Sequence, residues 1–294
     1  MLTSGDIEFE PPQTKMLGLT SSIAALLAGD AAFQIEIMNK VQTDIGALLK
    51  ANPTEWLTVE AVSKMYERHY GIVRRNRAEN RLLVPLGLDA ASFISSQRQM
   101  NSELVQKLAG ELLNFEVPET AVIFCGVDSD RAHIYTAHNG AVSCDDVVGF
   151  SAIGAGENHA DSQLMFAAHT KWKGFADALL TTYTAKKRSE VAPGVGTATD
   201  MFYIGPTLGS YSQIGNHVLA KLETIYREEQ RKQNEARRES LELTNAYIEE
   251  LTQSSTTKEQ SETPKDSGRT SSADKQETST EQPNKDKDGP TKEN

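Results

Sequence analysis

The stretch from Lys15 to Ala32 constrains the fold more than any other part of the chain. It begins as a short apolar strand that carries one lysine. After a turn, residues 23–27 form a continuous apolar run, which is typical of a strand buried on both faces. The run ends at a strand-to-helix elbow, where Gly29 allows a close backbone approach and Asp30 can cap a helix. The stretch therefore predicts a strand pair that turns sharply into a helix.

Two helices are predicted after the elbow. Apolar residues at helical spacing place the first at 30–50 and start the second after its cap, Thr58. The basic group at 74–77 is expected at the solvated C-terminal turn of the second helix, with an anion site as the weaker alternative. The side chains expected to be buried are Phe33, Ile37, Val41, Ile45 and Leu48 in the first helix, and Val59, Val62, Tyr66, Tyr70 and Val73 in the second.

From Thr120 the apolar period changes to that of strands. Strands are predicted at 121–127, 132–137 and 147–153, with Asn139-Gly140 as a hairpin turn, and a closing strand at 200–204. Helices are predicted at 159–168 and 174–188 between the third and the closing strand. This order predicts an α+β fold, a four-layer αββα sandwich in which two antiparallel sheets pack between helix layers.

Three further segments complete the domain organisation. The main domain is expected over 1–226, with an insertion at 83–117 whose helix begins at Asn101 or Ser102, capped by Ser102, and ends at Leu113. A long C-terminal helix is predicted over 214–252, and its part from 227 to 252 should project into solvent and offer a weak coiled-coil seam of Leu241, Ile248 and Leu251. Residues 253–294 contain no Leu, Ile, Val, Phe, Tyr or Trp, so we expect a disordered tail.

Composition excludes several classes of function. A net charge of −11 argues against nucleic-acid binding, and no run of apolar residues is long enough to span a membrane. The amino terminus lacks the features of a signal peptide, and Cys125 and Cys144 suit a reducing compartment, so we expect a cytoplasmic protein. The six histidines have no metal-ligand spacing, and Gly154-x-Gly156 is a weak dinucleotide signal among hairpin strands. We therefore expect neither metal nor cofactor.

Several motifs taken together resemble a known family. They are Thr3-Ser4-Gly5, Lys15, the elbow at 28–32, Gly126–Asp128, Ser151–Glu157 and Thr199–Ile204. Their order and spacing resemble the proteasome β-type subunits, which are N-terminal-nucleophile (Ntn) hydrolases, over roughly residues 1–225 apart from the insertion at 83–117.

The resemblance implies hydrolysis of peptide or amide bonds. In that family a Thr, Ser or Cys at the start of the mature chain is the nucleophile, and its α-amine is the base. Lys15 would tune the nucleophile, and the N–H of Gly29 would form the oxyanion hole. The structural alternatives are a surface lysine on an edge strand and a simple elbow glycine. By register Met1 falls about eighteen residues inside the family's mature chain, so we expect the nucleophile to be encoded upstream and this chain, as given, to be inactive.

Two departures from the family pattern leave a second hypothesis open. Ala155 stands where the family usually has a serine, and the nearest acid to the loop at 192–196 is Glu190 rather than an aspartate. The alternative is a complete, non-catalytic proteasome-like subunit that assembles and presents its tail. Under either hypothesis the resemblance implies self-association, as a homo-oligomer of ring type, while the insertion at 83–117 prevents us from carrying over a ring size.

Overall fold

The computed structural model describes residues 2–4, 7–9, 15–129 and 131–260. The chain divides into two compact units, Met1–Lys232 and Gln233–Asn294. The fold is α+β with antiparallel sheets, as the sequence predicted. Within the described residues the strands form a five-stranded sheet and two two-stranded sheets.

The elements follow one another in this order. The strands are β1 (Leu2–Ser4), β2 (Ile7–Phe9), β3 (Met16–Gly18), β4 (Ile23–Gly29), β5 (Thr120–Val127), β6 (Ala132–His138), β7 (Ala141–Cys144), β8 (Phe202–Ile204) and β9 (Tyr211–Gln213). The helices are α1 (Ala31–Ala51), α2 (Val59–Leu82), α3 (Ala90–Ser96), α4 (Ser102–Leu113), α5 (Glu157–Phe166), α6 (Phe175–Ser189) and α7 (Asn216–Gln260).

The five-stranded sheet has the order β3-β4-β5-β6-β7 and is antiparallel throughout. The predicted hairpin turn at Asn139-Gly140 is confirmed, and both residues have a positive φ, of 48° and 82°. The predicted strand at 147–153 is wrong, because the two-residue turn returns the chain at once and pairing resumes at Ala141. Pairing then stops where the Asp146 carboxylate accepts the backbone N–H of Ile134 at 2.9 Å.

Helices α1 and α2 cover one face of this sheet. Asp30 and Thr58 cap them as predicted, each accepting a backbone N–H through its side-chain oxygen. Of the ten side chains expected to be buried, only Leu48 is exposed, at 40%. The others form the main apolar cluster together with the sheet residues that face these helices, among them Ile23, Ala25, Val122 and Phe124.

The basic group at 74–77 lies within α2 and not at its C-terminal turn, because the helix continues to Leu82. The Arg74 guanidinium donates to the carbonyl oxygen of Phe115 at 2.9 and 3.1 Å, so this arginine fixes the link into β5. The Arg77 guanidinium pairs with Glu36 at 2.7 Å and lies 4.6 Å from the Phe33 ring centroid. Arg74 therefore fastens α2 to the segment before β5, and Arg77 fastens α2 to α1.

The insertion at 83–117 forms a small cluster of its own. Helix α4 has the predicted bounds, but Asn101 caps it instead of Ser102, since the Asn101 side-chain oxygen accepts the N–H groups of Glu103 and Leu104. The sequence missed the short helix α3, which Asp89 caps. Leu83, Phe93 and Leu108 are the buried centre of this cluster.

The remaining helices are as predicted to within a few residues, except that α7 continues past 252 to Gln260. Strand β9, for which the sequence analysis predicts no strand, pairs with β8. In the first unit α6 packs against the start of α7 through Tyr183 and Leu222. The expectation of a disordered tail falls, from residue 261 onward, outside the described residues. In the part of the chain that the structure describes, no helix has the length and apolar character needed to cross a membrane.

Candidate functional site

The elbow at the end of β4 has the geometry that only glycine accepts easily. Gly29 has a φ of +97°, and a Cβ added there would lie 2.2 Å from the carbonyl oxygen of Glu119. The next amide, that of Asp30, donates to the same carbonyl at 3.1 Å. The close approach of the two backbones therefore requires glycine at this position. The N–H of Asp30 is already used in the hydrogen bond to Glu119.

The hydrogen-bond pattern of the sheet fixes the direction of the Gly29 N–H. In an antiparallel pair, opposed residues alternate between those that exchange hydrogen bonds and those that do not. Asp30 bonds to Glu119 across the β4–β5 ladder, and Gly29 is the residue before it, opposite Thr120. Gly29 thus belongs to a non-hydrogen-bonded pair, and its N–H points away from β5, toward the edge of β4 on which β3 lies.

Lys15 lies at that same edge. The N–H of Leu27 donates to the Lys15 carbonyl at 3.0 Å, so Lys15 is opposite Leu27, two residues before Gly29. Leu27 packs against the cluster beneath α1 and α2, and residues directly opposed on paired strands share a face. The exposed side chain of Lys15 is therefore on the α1–α2 face, about 7 Å along the strand from Gly29. The structure brings the two predicted site residues to one edge of β4.

A buried polar network, which was not predicted from the sequence, lies directly behind the elbow. Gln34 is 1% exposed, and its Nε2 donates to the carbonyl oxygens of Ala28 at 3.1 Å and Ala121 at 3.2 Å. The hydroxyl of Tyr66 donates to Gln34 Oε1 at 3.0 Å and lies 3.4 Å from the Thr120 hydroxyl. Burial raises the pKa of Tyr66 to about 12, so the phenol remains a donor at neutral pH. The network ties α1, α2, β4 and β5 together at the point where the chain turns.

The sequence carried one signal for this network. Gln34 stands three, four and seven residues before Ile37, Met38 and Val41, all of which are buried, so it belongs to the apolar stripe of α1. A polar residue on such a stripe needs a buried partner. Tyr66, on the predicted stripe of α2, is the only tyrosine that the structure brings within hydrogen-bond distance of it among the described residues.

The motif at 151–157 lies on the opposite face of the sheet. The hydroxyl of Thr136 donates to Asp145, so the Ser151 hydroxyl, 2.8 Å from Thr136 Oγ1, donates to Thr136. Thr136 of β6 is opposite Ile123 of β5, and Ile123 is opposite Leu26 of β4, so the three residues share a face. Leu26 precedes Leu27 in β4, so this face is the one opposite to that of Leu27. The hydroxyl chain and Lys15 are thus separated by the sheet itself, and the structure does not bring them together.

Glu190, the acid nearest to the loop at 192–196, is engaged in ion pairs. Its carboxylate lies 2.6 Å from the Lys186 Nζ and 2.8 Å from the Lys187 Nζ, and Lys186 also donates to the Gly196 carbonyl at 2.8 Å. These contacts fasten the end of α6 to the following loop. Ala155, at the other departure from the family pattern, is exposed.

A histidine between two carboxylates occupies the other end of the sheet. His133 Nδ1 is 2.7 Å from Asp146 Oδ2, and His133 Nε2 is 3.3 Å from Asp128 Oδ1. Burial acts to raise the pKa of Asp146, but the N–H of Ile134 and the ring of His133 outweigh it and leave that pKa below its ordinary value. Within the described residues, no three His, Cys, Asp or Glu side chains are arranged to hold a metal ion. We assign this cluster to anchoring the strand ends.

Comparisons with known proteins leave the family open. No model of a known protein family matches the chain, and no curated protein matches it either. Function therefore has to be inferred from the geometry at the elbow.

Proposed function

We propose that the chain is a proteasome-like Ntn hydrolase that cleaves a peptide or amide bond. In this proposal the described five-stranded sheet is one of the two sheets of an αββα sandwich, and the nucleophile is an amino-terminal Thr, Ser or Cys. The observation that supports it most is the shared position of Lys15 and the Gly29 N–H at one edge of β4.

The chemistry follows from these two groups. The nucleophile attacks the substrate carbonyl and gives its proton to the free α-amine, while the carbonyl oxygen becomes an oxyanion. The Gly29 N–H donates to that oxyanion, and the ammonium of Lys15 stabilises negative charge on the attacking atom. When the intermediate collapses, the α-amine returns the proton to the leaving amine, and water then releases the acyl group by the same route. No cofactor takes part.

The network behind the elbow supports the same role. An oxyanion donor is effective when it is held in place before the reaction. Gln34 holds the carbonyls of Ala28 and Ala121 on the two strands that meet at the elbow, and it is itself held by Tyr66. The proposed site is thus built on a rigid strand end.

We also propose that the protein is cytoplasmic, because both of its cysteines are free thiols, as is usual in a reducing compartment.

Mass and amino-terminal sequence provide the first test. The protein is purified from its native cell, and an exposed Thr, Ser or Cys is expected as its first residue. That form should hydrolyse a fluorogenic peptide amide, and Lys15→Ala should lower the rate about 100-fold or more, in line with the loss of one electrostatic group in an active site. Lys40→Ala, at an exposed position on α1, is the control. A mature chain that begins at Met1 or Leu2, or a Lys15→Ala variant with full activity, would overturn the proposal.

A specific observation supports self-association, which the second candidate, a non-catalytic assembly subunit, requires. The surface around the turn between α5 and α6 exposes large apolar side chains, with Phe166 at 88% and Trp172 at 85%. Such a surface is typical of proteins that associate. We therefore also propose self-association, which is compatible with either function.

A further inference from the structure

A cleft of about 400 Å³ lies between α2 and the segment at 115–119 that leads into β5, beside the hairpin turn at Asn139. Small-molecule sites in proteins typically have about 300–1,000 Å³, so this cleft has room for a compact ligand. We call it the α2 cleft, and the side chains that give it its chemistry are those of Tyr70, Arg74, Phe115, Glu116 and Glu119.

The walls of the α2 cleft are held in place by contacts within the protein. The Arg74 guanidinium donates to the Phe115 carbonyl through Nε and Nη2, which fixes the segment before β5 against α2. A Cβ added to Gly140 would lie 2.2 Å from the Tyr70 ring, so this ring packs directly on the hairpin turn. The cleft is therefore formed before a ligand binds, and binding requires little loss of conformational entropy.

A buried tyrosine with an unpaired hydroxyl lines the cleft. Tyr70 is 7% exposed, and its hydroxyl makes no hydrogen bond to any residue that the structure describes. Burial raises the pKa of Tyr70 and outweighs the positive charge of Arg74, which acts to lower it, so the phenol is a hydrogen-bond donor at neutral pH. Buried polar groups are normally paired, so this hydroxyl indicates where a ligand oxygen can bind.

Charged groups of both signs line the cleft without pairing to each other. Within the described part of the chain, Arg74, Glu116 and Glu119 form no ion pair. The hydrogen bonds of Arg74 use Nε and Nη2, which leaves the donors of Nη1 and the positive charge of the guanidinium for a ligand. An arginine binds a carboxylate well, and a carboxylate accepts from an ammonium group. The cleft thus offers one place for a negative group and one for a positive group.

We propose that the α2 cleft binds a small zwitterion of the amino-acid class, in which one molecule carries an ammonium group and a carboxylate. The ligand's ammonium donates to Glu116 and Glu119, and its carboxylate accepts from Arg74 and from the Tyr70 hydroxyl. The ring of Phe115, which is half-buried, provides an apolar contact for the ligand's side chain.

The charges of the cleft select a zwitterion over a simple ion. One arginine and two glutamates give a net charge of −1, so a ligand with a carboxylate alone is repelled. A ligand with an ammonium group alone leaves Arg74 and the Tyr70 hydroxyl without a partner. This inference goes beyond the proposed hydrolysis and does not depend on it, because the cleft is built on the start of β5, whereas Lys15 lies at the opposite edge of β4.

Titration of the full chain with L-leucine, followed by the NMR chemical shifts of backbone amides, tests the proposal. L-leucine is compared with isocaproate, which has the same carbon skeleton without the ammonium group, and with isoamylamine, which lacks the carboxylate. L-leucine should bind with a Kd of about 1 mM or lower and shift the amide signals of residues 115–119. Each of the other two compounds should bind at least about 10-fold more weakly, because one charge-assisted contact is missing.

Two variants locate the binding site. Tyr70→Phe keeps the buried ring and should weaken the binding of L-leucine about 10-fold, since one hydrogen bond to a charged group is lost. Glu116→Gln with Glu119→Gln should weaken it at least about 10-fold without weakening the binding of isocaproate. The matched control is Glu239→Gln with Glu242→Gln, two exposed glutamates at the same spacing on α7, which should leave the Kd unchanged.

The outcomes of this experiment are separate from those of the hydrolase test. The proposal is overturned if L-leucine does not bind at about 10 mM, if the three compounds bind equally well, or if both cleft variants bind L-leucine as the wild type does. Each of these results leaves the proposed hydrolysis standing, because the variants change neither Lys15 nor Gly29. A mature chain that begins at Met1 would end the hydrolase proposal and leave the binding of L-leucine unaffected.

Discussion

Removing the hydroxyl of Tyr66 isolates the contribution of the network behind the elbow. Tyr66→Phe keeps the buried ring, which is 0% exposed and packs against Phe124 at 5.5 Å, and it deletes one donor. Gln34 Oε1 then has no partner at a site that water does not reach. A buried acceptor left without its donor costs about 1–3 kcal/mol. We therefore expect the free energy of unfolding to fall by about 2 kcal/mol, and Tm to fall by about 4–8 °C in a unit of this size.

Tyr70→Phe is the matched control. Tyr70 lies one turn further along α2 and is 7% exposed, and its hydroxyl makes no hydrogen bond to another described residue. Loss of this hydroxyl should change the free energy of unfolding by less than about 0.5 kcal/mol. Both variants are compared with the wild type by urea unfolding, followed by circular dichroism.

A double-mutant cycle then tests whether the two side chains act on each other. Gln34→Met removes the acceptor that Tyr66→Phe leaves unpaired, so the double variant should be more stable than the sum of the two single effects predicts, by about 1–2 kcal/mol. If Tyr66→Phe is no more destabilising than Tyr70→Phe, or if the two single effects simply add, the network does not stabilise the elbow in the way we describe.

Two other predictions concern the ends of the sheet. Gly29→Ala should lower the free energy of unfolding by more than about 2 kcal/mol, because the φ of Gly29 is +97° and the new Cβ would meet the Glu119 carbonyl. Gly46→Ala, inside α1 with open space around it, should raise that free energy by about 0.5–1 kcal/mol. Urea unfolding measures both variants, and equal effects would contradict the geometry. The pKa of Asp146 is lower in the folded chain than in the unfolded one, so its contribution to stability is present above about pH 4 and is lost as the pH falls through the folded pKa. Asp146→Asn should therefore flatten the fall in stability between about pH 5 and pH 3, and an unchanged pH profile would show that Asp146 does not contribute.

The elements that local pattern specifies were predicted well. The caps Asp30 and Thr58 and the hairpin at Asn139-Gly140 depend on hydrogen bonds or dihedral angles within a few residues, which the sequence displays directly. The predicted cap Ser102 was wrong, because the neighbouring Asn101 accepts the first free N–H groups of α4 and the local pattern allows either residue.

Errors arose where a distant partner determined the structure. The apolar run at 147–153 has the composition of a strand, but the carboxylate of Asp146 takes the N–H of Ile134 that further pairing would use. The group at 74–77 has the charge of a helix end, but Arg74 is held by the carbonyl of Phe115 from a segment about forty residues away. Neither contact leaves a trace in the local pattern.

The sequence by itself determined the α+β class, most of the helices and the presence of a glycine elbow beside a lysine, because each depends on periodicity or on one residue's backbone freedom. Only the tertiary structure decided which way the Gly29 amide points, since that direction depends on the register of β4 against β5. The same holds for the buried pair of Gln34 and Tyr66, which are 32 residues apart and meet only because α1 and α2 pack on one face of the sheet. Register and packing are collective properties of several segments, and the pattern within one segment does not contain them.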